Sequence, residues 1–281
     1  MKKILLFVTV FVSLICGQSF QIKQITNLDG DCRNLSKGSY FAPIINFVFE
    51  SHTGNSSSIY LGIYFVFNDS FGVFTQITND SFLNINPKLV YVKDSLFIIY
   101  QTNRNGNWDL ACQVYKNSII GPINYIANSS TDEINPVCSV NRMGFSPSKP
   151  LISYEKSNSV YVRDVHIGGP IETEIFHGDS ITKYSQVSME TCWNGSLYIA
   201  ALKVVNGKPS IVYKKYGTNG WGNEIVAAST GNCRNPRIHN LNYQDDLTYI
   251  NDLGGTNNIY LIEQFYQPVD TLKLFLNPQF D

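Results

Sequence analysis

The chain has 281 residues, of which 13% are aromatic and 15% are charged, with 17 tyrosines and 17 phenylalanines. This composition favours pleated, half-buried strands over surface helices. The formal net charge is −1, so the sequence has no basic field for nucleic acid and no acidic tail for a charged partner.

The N-terminus has the pattern of an export signal. Two lysines follow the first methionine, an apolar run extends over Ile4–Ile15, and Gly17 precedes the polar Gln18. The run has the length of a signal-peptide core and is too short to span a bilayer comfortably. We therefore predict that residues 1–17 are a signal peptide and that residues 18–281 form one mature domain. That domain is expected to be secreted or periplasmic, without a membrane span.

The remainder of the chain repeats itself in steps of about 50 residues. The tetrapeptide Gln24–Asn27 recurs as Gln76–Asn79, and an Asn-Pro pair occurs at Asn86, Asn135 and Asn235. Aligning these features gives five units, which begin at Leu35, Pro87, Pro136, Gln186 and Pro236.

Each unit contains four short runs of β-forming residues, separated by clusters of Asn, Gly, Ser and Asp, which is the pattern of strands and turns. The second unit shows the runs most clearly, and its predicted strands are Pro87–Val92, Leu96–Gln101, Trp108–Tyr115 and Ile119–Ile126. No segment after the signal has a sustained apolar period of 3.6 residues, so we predict almost no helix.

Four antiparallel strands in a unit of about 50 residues is the size of a propeller blade. One such unit cannot bury both of its faces, whereas blades packed side by side cover each other and shelter their edges. We therefore predict an all-β fold, a β-propeller of five blades with four antiparallel strands each. Because Asn277-Pro278 repeats the start of a unit, a truncated larger propeller is the alternative.

One family resemblance supports this fold. The segment Leu96–Leu110 pairs an apolar strand with a Thr-x-Arg-x-Gly turn and a second strand, and it resembles the TolB-type propeller repeat. The last part of that repeat is matched again at Ser58–Tyr60, Ser159–Tyr161 and Asn258–Tyr260. The resemblance covers most of residues 24–276 and implies the fold; it does not identify a ligand.

Five cysteines remain after removal of the signal peptide. Export permits disulfides, and the odd number leaves at least one thiol. Cys32 and Cys233 both stand in the context Cys-Arg-Asn, in the first and last units. These units are neighbours in a closed five-bladed ring, so we predict a disulfide between Cys32 and Cys233. The alternative is two thiols whose likeness reflects only the repeat.

The sequence contains no nucleophile elbow, phosphate-binding loop or His-Glu-x-x-His zinc motif. Some five-bladed propellers hydrolyse glycosides with paired carboxylates, and Glu50 and Glu155 are the candidates for such a pair. Both stand near the ends of second strands, where we expect them at one open rim. Because no convergent set of acids surrounds them, we assign no catalytic residue, no metal ligand and no cofactor.

The sequence therefore predicts a secreted, non-catalytic propeller that binds an extracellular or envelope protein or glycan, with unknown ligand-binding residues. The alternative is a propeller glycoside hydrolase. Several aromatic residues near strand ends or in loops would serve as ligand contacts or would fill the space between blades. They are Tyr40, Phe41, Tyr91, Tyr184, Trp193, Trp221 and Tyr243.

Overall fold

The computed structural model describes residues 30–37, 44–92, 94–141, 149–165, 172–191, 196–217, 219–241, 244–253, 256–262 and 272–275. These residues contain no helix, and their strands form five antiparallel sheets that follow one another along the chain. The predicted all-β class is therefore confirmed. The predicted signal peptide, residues 1–17, lies outside the described residues.

The first strand of each sheet lies at its edge, and the second and third strands follow in order. The first sheet contains β1 (Asp31–Lys37), β2 (Ile44–Thr53), β3 (Ser56–Phe65), β4 (Ser70–Phe71) and β5 (Thr75–Gln76). The second contains β6 (Asn84–Val92), β7 (Ser95–Thr102), β8 (Asp109–Lys116), β9 (Ile119–Ile120) and β10 (Asn124–Ala127). The third contains β11 (Glu133–Asn141), β12 (Lys149–Lys156), β13 (Ser159–Asp164) and β14 (Thr173–Phe176). The fourth contains β15 (Thr182–Thr191), β16 (Leu197–Val205), β17 (Lys208–Gly217), β18 (Gly220–Trp221) and β19 (Ile225–Ala228). The fifth contains β20 (Asn232–Leu241), β21 (Gln244–Leu253), β22 (Thr256–Ile262) and β23 (Leu272–Phe275).

The second sheet follows the predicted strands closely. The predicted second strand, Leu96–Gln101, is β7 with one further residue at each end. The predicted fourth strand, Ile119–Ile126, is divided into β9 and β10 on either side of Pro122. Proline has no backbone N–H to donate to the hydrogen bonds between strands, which explains the interruption.

A β-bulge interrupts the first strand of every sheet. Each bulge has one residue in the left-handed region, and we call these five the bulge residues: Asn34 (φ 50°), Asn86 (φ 53°), Asn135 (φ 54°), Gln186 (φ 54°) and Asn235 (φ 51°). Asparagine tolerates this conformation better than most residues. The Asn-Pro pairs, predicted to open strands, therefore lie inside the first strands. Because Gln186 is itself a bulge residue, the fourth unit begins at Val187, one residue later than predicted.

Consecutive sheets pack through their first strands. The first strand of each of sheets two to five contacts the first three strands of the preceding sheet, and consecutive first strands contact one another. The first strands are therefore the inner strands of the assembly. A hydrophobic core lies at each of these four interfaces. This packing gives every interface the same architecture.

One third-strand position shows how completely these interfaces are covered. At this position, the third-strand residue of each sheet pairs with an equivalent second-strand residue. The five third-strand residues are Ile59, Leu110, Val160, Ile211 and Ile259. The first four are 0% exposed, whereas Ile259 is 54% exposed. In the described part of the chain, the fifth sheet is thus exposed at the position that every other sheet buries against its successor.

Candidate functional site

A series of hydrogen bonds, which we call the ladder, joins each of the first four sheets to the inner strand of the next sheet. The backbone N–H of Asn86 donates to Glu50 Oε2 (2.6 Å), and that of Asn135 donates to Gln101 Oε1 (2.9 Å). The N–H of Gln186 donates to Glu155 Oε1 (2.8 Å). In each case a second-strand side chain accepts the bulge N–H of the next sheet. The ladder therefore fixes the position of each sheet on its predecessor.

The fourth sheet makes the same connection with a different residue. The second-strand position that holds Glu50, Gln101 and Glu155 is occupied here by Leu202, which has no acceptor. The Oε1 atom of the bulge residue Gln186 accepts the N–H of Asn235 instead, at 2.7 Å. The substitution of leucine is thus compensated from the first strand of the same sheet.

Glu50 is the most heavily used acceptor of the ladder. Its Oε1 atom accepts Asn34 Nδ2 (2.9 Å) and contacts His52 Nε2 (3.0 Å), while Oε2 accepts Asn86 N–H. Glu50 is 2% exposed and Glu155 is 6% exposed. The prediction that both carboxylates lie at an open rim is therefore wrong. They are buried because their oxygens connect one sheet to the next.

The environment of Glu155 shifts its ionisation. Burial raises the pKa of this carboxyl above its ordinary value, while hydrogen bonds from Asn135 and Gln186 and the charge of Lys183 oppose the shift. The folded state therefore binds the proton more tightly than the unfolded chain. As pH rises from the unfolded value of 4.5 through the folded pKa, the stability that protonation provides is lost.

We expect Glu155→Gln to change the pH dependence of stability. Glutamine copies the protonated carboxyl and retains an acceptor for Gln186 N–H, as Gln101 does for Asn135 N–H. The variant should gain stability relative to the wild type as pH rises from 4 to 7, measured by urea unfolding at each pH. A difference that stays constant, or that falls with rising pH, would contradict the raised pKa.

The third sheet contains a second group of carboxylates. Lys156 Nζ lies 3.5 Å from Glu133 Oε1 and 3.3 Å from Glu172 Oε1. The Tyr154 hydroxyl donates to Glu172 Oε1, and both burial and this bond raise the tyrosine pKa. Glu133 is 0% exposed and also accepts bonds from Ser129. The lysine therefore bridges one buried and one half-buried carboxylate.

The open face of the fifth sheet contains a groove of about 430 Å³. We call it the fifth-sheet groove, and its described lining residues are Asn235, Arg237, His239, Thr248, Tyr249, Ile250 and Ile259. The groove combines one guanidinium, one imidazole, an amide, a hydroxyl and two isoleucines. Its polar and apolar groups together are typical of a binding surface.

Arg237 is the exposed cation of this groove. Its recorded hydrogen bond runs from Nη1 to the Pro236 carbonyl at 3.4 Å, and within the described part of the chain no carboxylate pairs with it. Arg33 and Arg104, by contrast, each pair with an aspartate. The guanidinium of Arg237 therefore has donors available to a ligand.

His239 has a different role in the groove. Its Nε2 atom lies 2.8 Å from Thr248 Oγ1, and its cross-strand partner is Asp246. Burial lowers its pKa, and Arg237 adds to this effect while Asp246 opposes it. The lowered pKa favours the neutral imidazole at pH 7, so among the described lining residues the charge is that of Arg237.

The aromatic candidates divide into packed residues and residues outside the described part of the chain. Tyr184 is buried, stacks on Phe176 and donates to Glu224. Tyr91 and Trp221 pack against hydrophobic cores. The candidates outside the described residues are Tyr40, Phe41, Trp193 and Tyr243. The three described rings therefore fill space between strands and sheets.

The predicted Cys32–Cys233 disulfide is not formed in the structure. Cys233 lies in the core between the fourth and fifth sheets, and its thiol donates to the Thr230 carbonyl at 3.0 Å. Cys32 packs with Phe47 and Phe49 on the first sheet. The pairing therefore stays a prediction, which non-reducing peptide mapping tests.

Two features are absent from the described residues, a metal-ligand cluster and a membrane-spanning helix. No group of three or more His, Cys, Asp or Glu residues there is arranged to hold a metal ion. No helix in this part of the chain is long and apolar enough to cross a membrane.

No protein-family model and no curated protein matches the sequence. The fold, however, is shared with solved structures. TolB from Acinetobacter baumannii has a TM-score of 0.55 at 13% identity, covering 84% of this chain and 52% of TolB. This chain thus spans about half the length of that protein. The TolB resemblance predicted from the repeat is confirmed at the level of the fold.

Two carbohydrate-active proteins share the same architecture. A polysaccharide lyase of family PL25, an ulvan lyase bound to -[GlcA(1-4)Rha3S]-, has a TM-score of 0.55 at 7% identity, covering 83% of this chain and 67% of the lyase. The α-L-arabinofuranosidase of Podospora anserina, in complex with cellotriose, has a TM-score of 0.50 at 8% identity, covering 83% and 89%. TolB and the arabinofuranosidase are β-propellers, so the predicted propeller class is confirmed.

Proposed function

We propose that this protein is an exported, non-catalytic β-propeller that binds a protein or a glycan. In this proposal residues 1–17 are removed and residues 18–281 form the mature domain. The fifth-sheet groove is its ligand surface, since it presents the exposed Arg237 guanidinium, with which no described carboxylate pairs, beside aliphatic side chains. The ligand belongs to the extracellular space or the cell envelope.

The burial of the two candidate carboxylates, Glu50 and Glu155, is the observation that carries this proposal. Glycoside hydrolysis needs an acid and a second carboxylate placed on either side of the scissile bond. Glu50 and Glu155 are buried and accept hydrogen bonds from the next sheet. No carboxylate is among the described lining residues of the fifth-sheet groove. Its chemistry is that of recognition.

The proposal is tested with the purified mature chain on a glycan array and against a displayed peptide library. Specific, saturable binding to a member of either collection is expected, together with no turnover of the bound ligand. Intact mass of the exported protein should begin at or near Gln18. Retention of residues 1–17 would contradict export, and the absence of any binding would contradict the binding function.

A glycoside hydrolase is the second candidate, and one observation favours it. Glu133 and Glu172 both contact the Lys156 ammonium, at 3.5 Å and 3.3 Å. The two carboxylates therefore lie no farther apart than the ~5–10 Å that separates the carboxylate pair of a glycosidase. The complete burial of Glu133 argues against this role. Release of sugar from arabinofuranosides, abolished by Glu172→Gln, would establish the enzyme and overturn the binding proposal.

A further inference from the structure

The fifth-sheet groove contains enough chemistry to indicate which class of ligand it takes. The inference rests on the proposed binding function and adds the identity of the ligand class. Three properties of the groove indicate its ligand class. They are its charge, the type of its apolar surface, and its position on a face that the next sheet covers in the other four sheets.

Among the described lining residues of the groove, Arg237 is the charged side chain, and the Asp246 carboxylate lies across the strand pair from His239. Arg237 is exposed, and no carboxylate in the described part of the chain pairs with it. Lys88, on the first strand of the second sheet, lies close enough to be affected by it. Burial lowers the pKa of Lys88, and the repulsion from Arg237 adds to this effect while Glu50 opposes it. An anion near Arg237 would therefore relieve repulsion as well as satisfy free donors.

The apolar surface of the groove is aliphatic. Ile250 and Ile259 form it, with Ile259 more than half exposed. The Tyr249 ring does not contribute a face, because it is buried and stacks on Tyr260 at a centroid distance of 5.3 Å. Tyr249, the aromatic residue of the described lining, thus presents no exposed ring face on which a sugar could stack. Aliphatic side chains of a peptide match isoleucine better than a sugar does.

The position of the groove gives a third argument. In each of the other four sheets the equivalent face packs against the first strand of the next sheet. The residues equivalent to Ile259 are fully buried there. The face is therefore shaped for backbone and side chains in extended conformation. An extended peptide would cover Ile259 as the next sheet covers Ile211 in the fourth sheet.

We propose that the fifth-sheet groove binds an extended peptide segment that carries an acidic side chain next to aliphatic ones. The carboxylate accepts hydrogen bonds from the Arg237 guanidinium, and the aliphatic side chains cover Ile250 and Ile259. The exposed Asn235 is placed to bond the peptide backbone.

The test is a selection of displayed nonapeptides on the immobilised mature chain, followed by affinity measurement with the enriched synthetic peptides. We expect enriched sequences with one or two acidic residues beside isoleucine, leucine or valine. Arg237→Gln should weaken their binding by about 10- to 100-fold, the range for a hydrogen bond to a charged group. Arg237→Lys should restore part of the affinity, because lysine retains the charge without the bidentate geometry.

The matched control is Arg234→Gln. Arg234 lies on the same strand, donates to Asn257 Oδ1 and is not part of the groove lining. This variant should bind the peptides as the wild type does. Circular dichroism and urea unfolding of all three variants exclude loss of folding as the cause of weaker binding.

Several outcomes would overturn the proposal. Neutral or basic enriched sequences, or acidic ones whose affinity does not depend on Arg237, would show that the groove does not recognise this class. Binding to the glycan array with no peptide enrichment would leave the binding function standing and remove the peptide. Absence of both would remove the proposed function as well. Protection of Arg237 from the guanidinium reagent phenylglyoxal in the free chain would show that the first sheet or a second copy already covers the groove.

Discussion

Replacing Ile211 with alanine is expected to lower the free energy of unfolding by about 2–5 kcal/mol, the range for a large-to-small change in a core. The same change at Ile259 is expected to cost less than about 1 kcal/mol, as for surface positions. The two residues occupy the same place in consecutive sheets, opposite Leu202 and Ile250. They differ because the fifth sheet covers Ile211, whereas Ile259 is 54% exposed. Urea unfolding of both variants provides the comparison.

The comparison also tests whether the groove is open in solution. Equal losses for Ile211→Ala and Ile259→Ala would show that another element covers the fifth sheet, either the first sheet in a closed ring or a second copy. Ile59→Ala in the first sheet is the control, since Ile59 is fully buried and should behave like Ile211. An unchanged slope of unfolding free energy against urea would confirm that only stability differs between variants.

The strands could be predicted because their signals are local. The run Phe97-Ile98-Ile99-Tyr100 is apolar on both sides, as a strand buried between two neighbouring sheets must be. Turn residues limit it on either side, so β7 differs from the prediction by one residue at each end. The repeat then extends this assignment to the other units. Composition and spacing thus determine the sheets, and the sheets determine the fold class.

The bulges and the ladder could not be predicted from single strands. The Asn-Pro pairs looked like strand starts because proline is common there and asparagine is common in turns. A signal was nevertheless present in the aligned units: Glu50, Gln101 and Glu155 are polar residues at one position of otherwise apolar strands. A buried polar side chain needs a hydrogen-bond partner, and the repeat offers the N–H groups of the next unit. This reasoning would have placed Glu50 and Glu155 in an interface.

The groove depends on information outside the repeat. Ile259 has the same residue type as Ile59 and Ile211, and sequence comparison predicts the same burial for all three. Its exposure follows from the absence of a sheet against it among the described residues, which is a property of the whole assembly. In the sequence, nothing distinguishes Arg237 from the other residues of its strand. The structure is needed to show that no described carboxylate pairs with its guanidinium.

Glu50→Ala is expected to lower the free energy of unfolding by about 2–4 kcal/mol, because it removes the buried acceptor of three part-buried hydrogen bonds. The donors are Asn34 Nδ2, His52 Nε2 and the backbone N–H of Asn86. The last of these connects the first and second sheets, so the loss should also appear as faster hydrogen exchange at Asn86. Urea unfolding gives the energy, and exchange measured by NMR or mass spectrometry gives the location.

Glu50→Gln separates the acceptor from the charge. Gln101 performs the same task one sheet further along with an amide oxygen, so glutamine at position 50 should retain the bond to Asn86 and lose less than half as much stability as alanine. Asp94→Asn, at an exposed ion pair with Lys116, should leave stability unchanged. Equal losses for Glu50→Gln and Glu50→Ala would mean that the charge, facing His52 and Lys88, stabilises this interface. No loss for either would mean that the ladder does not hold the first two sheets together.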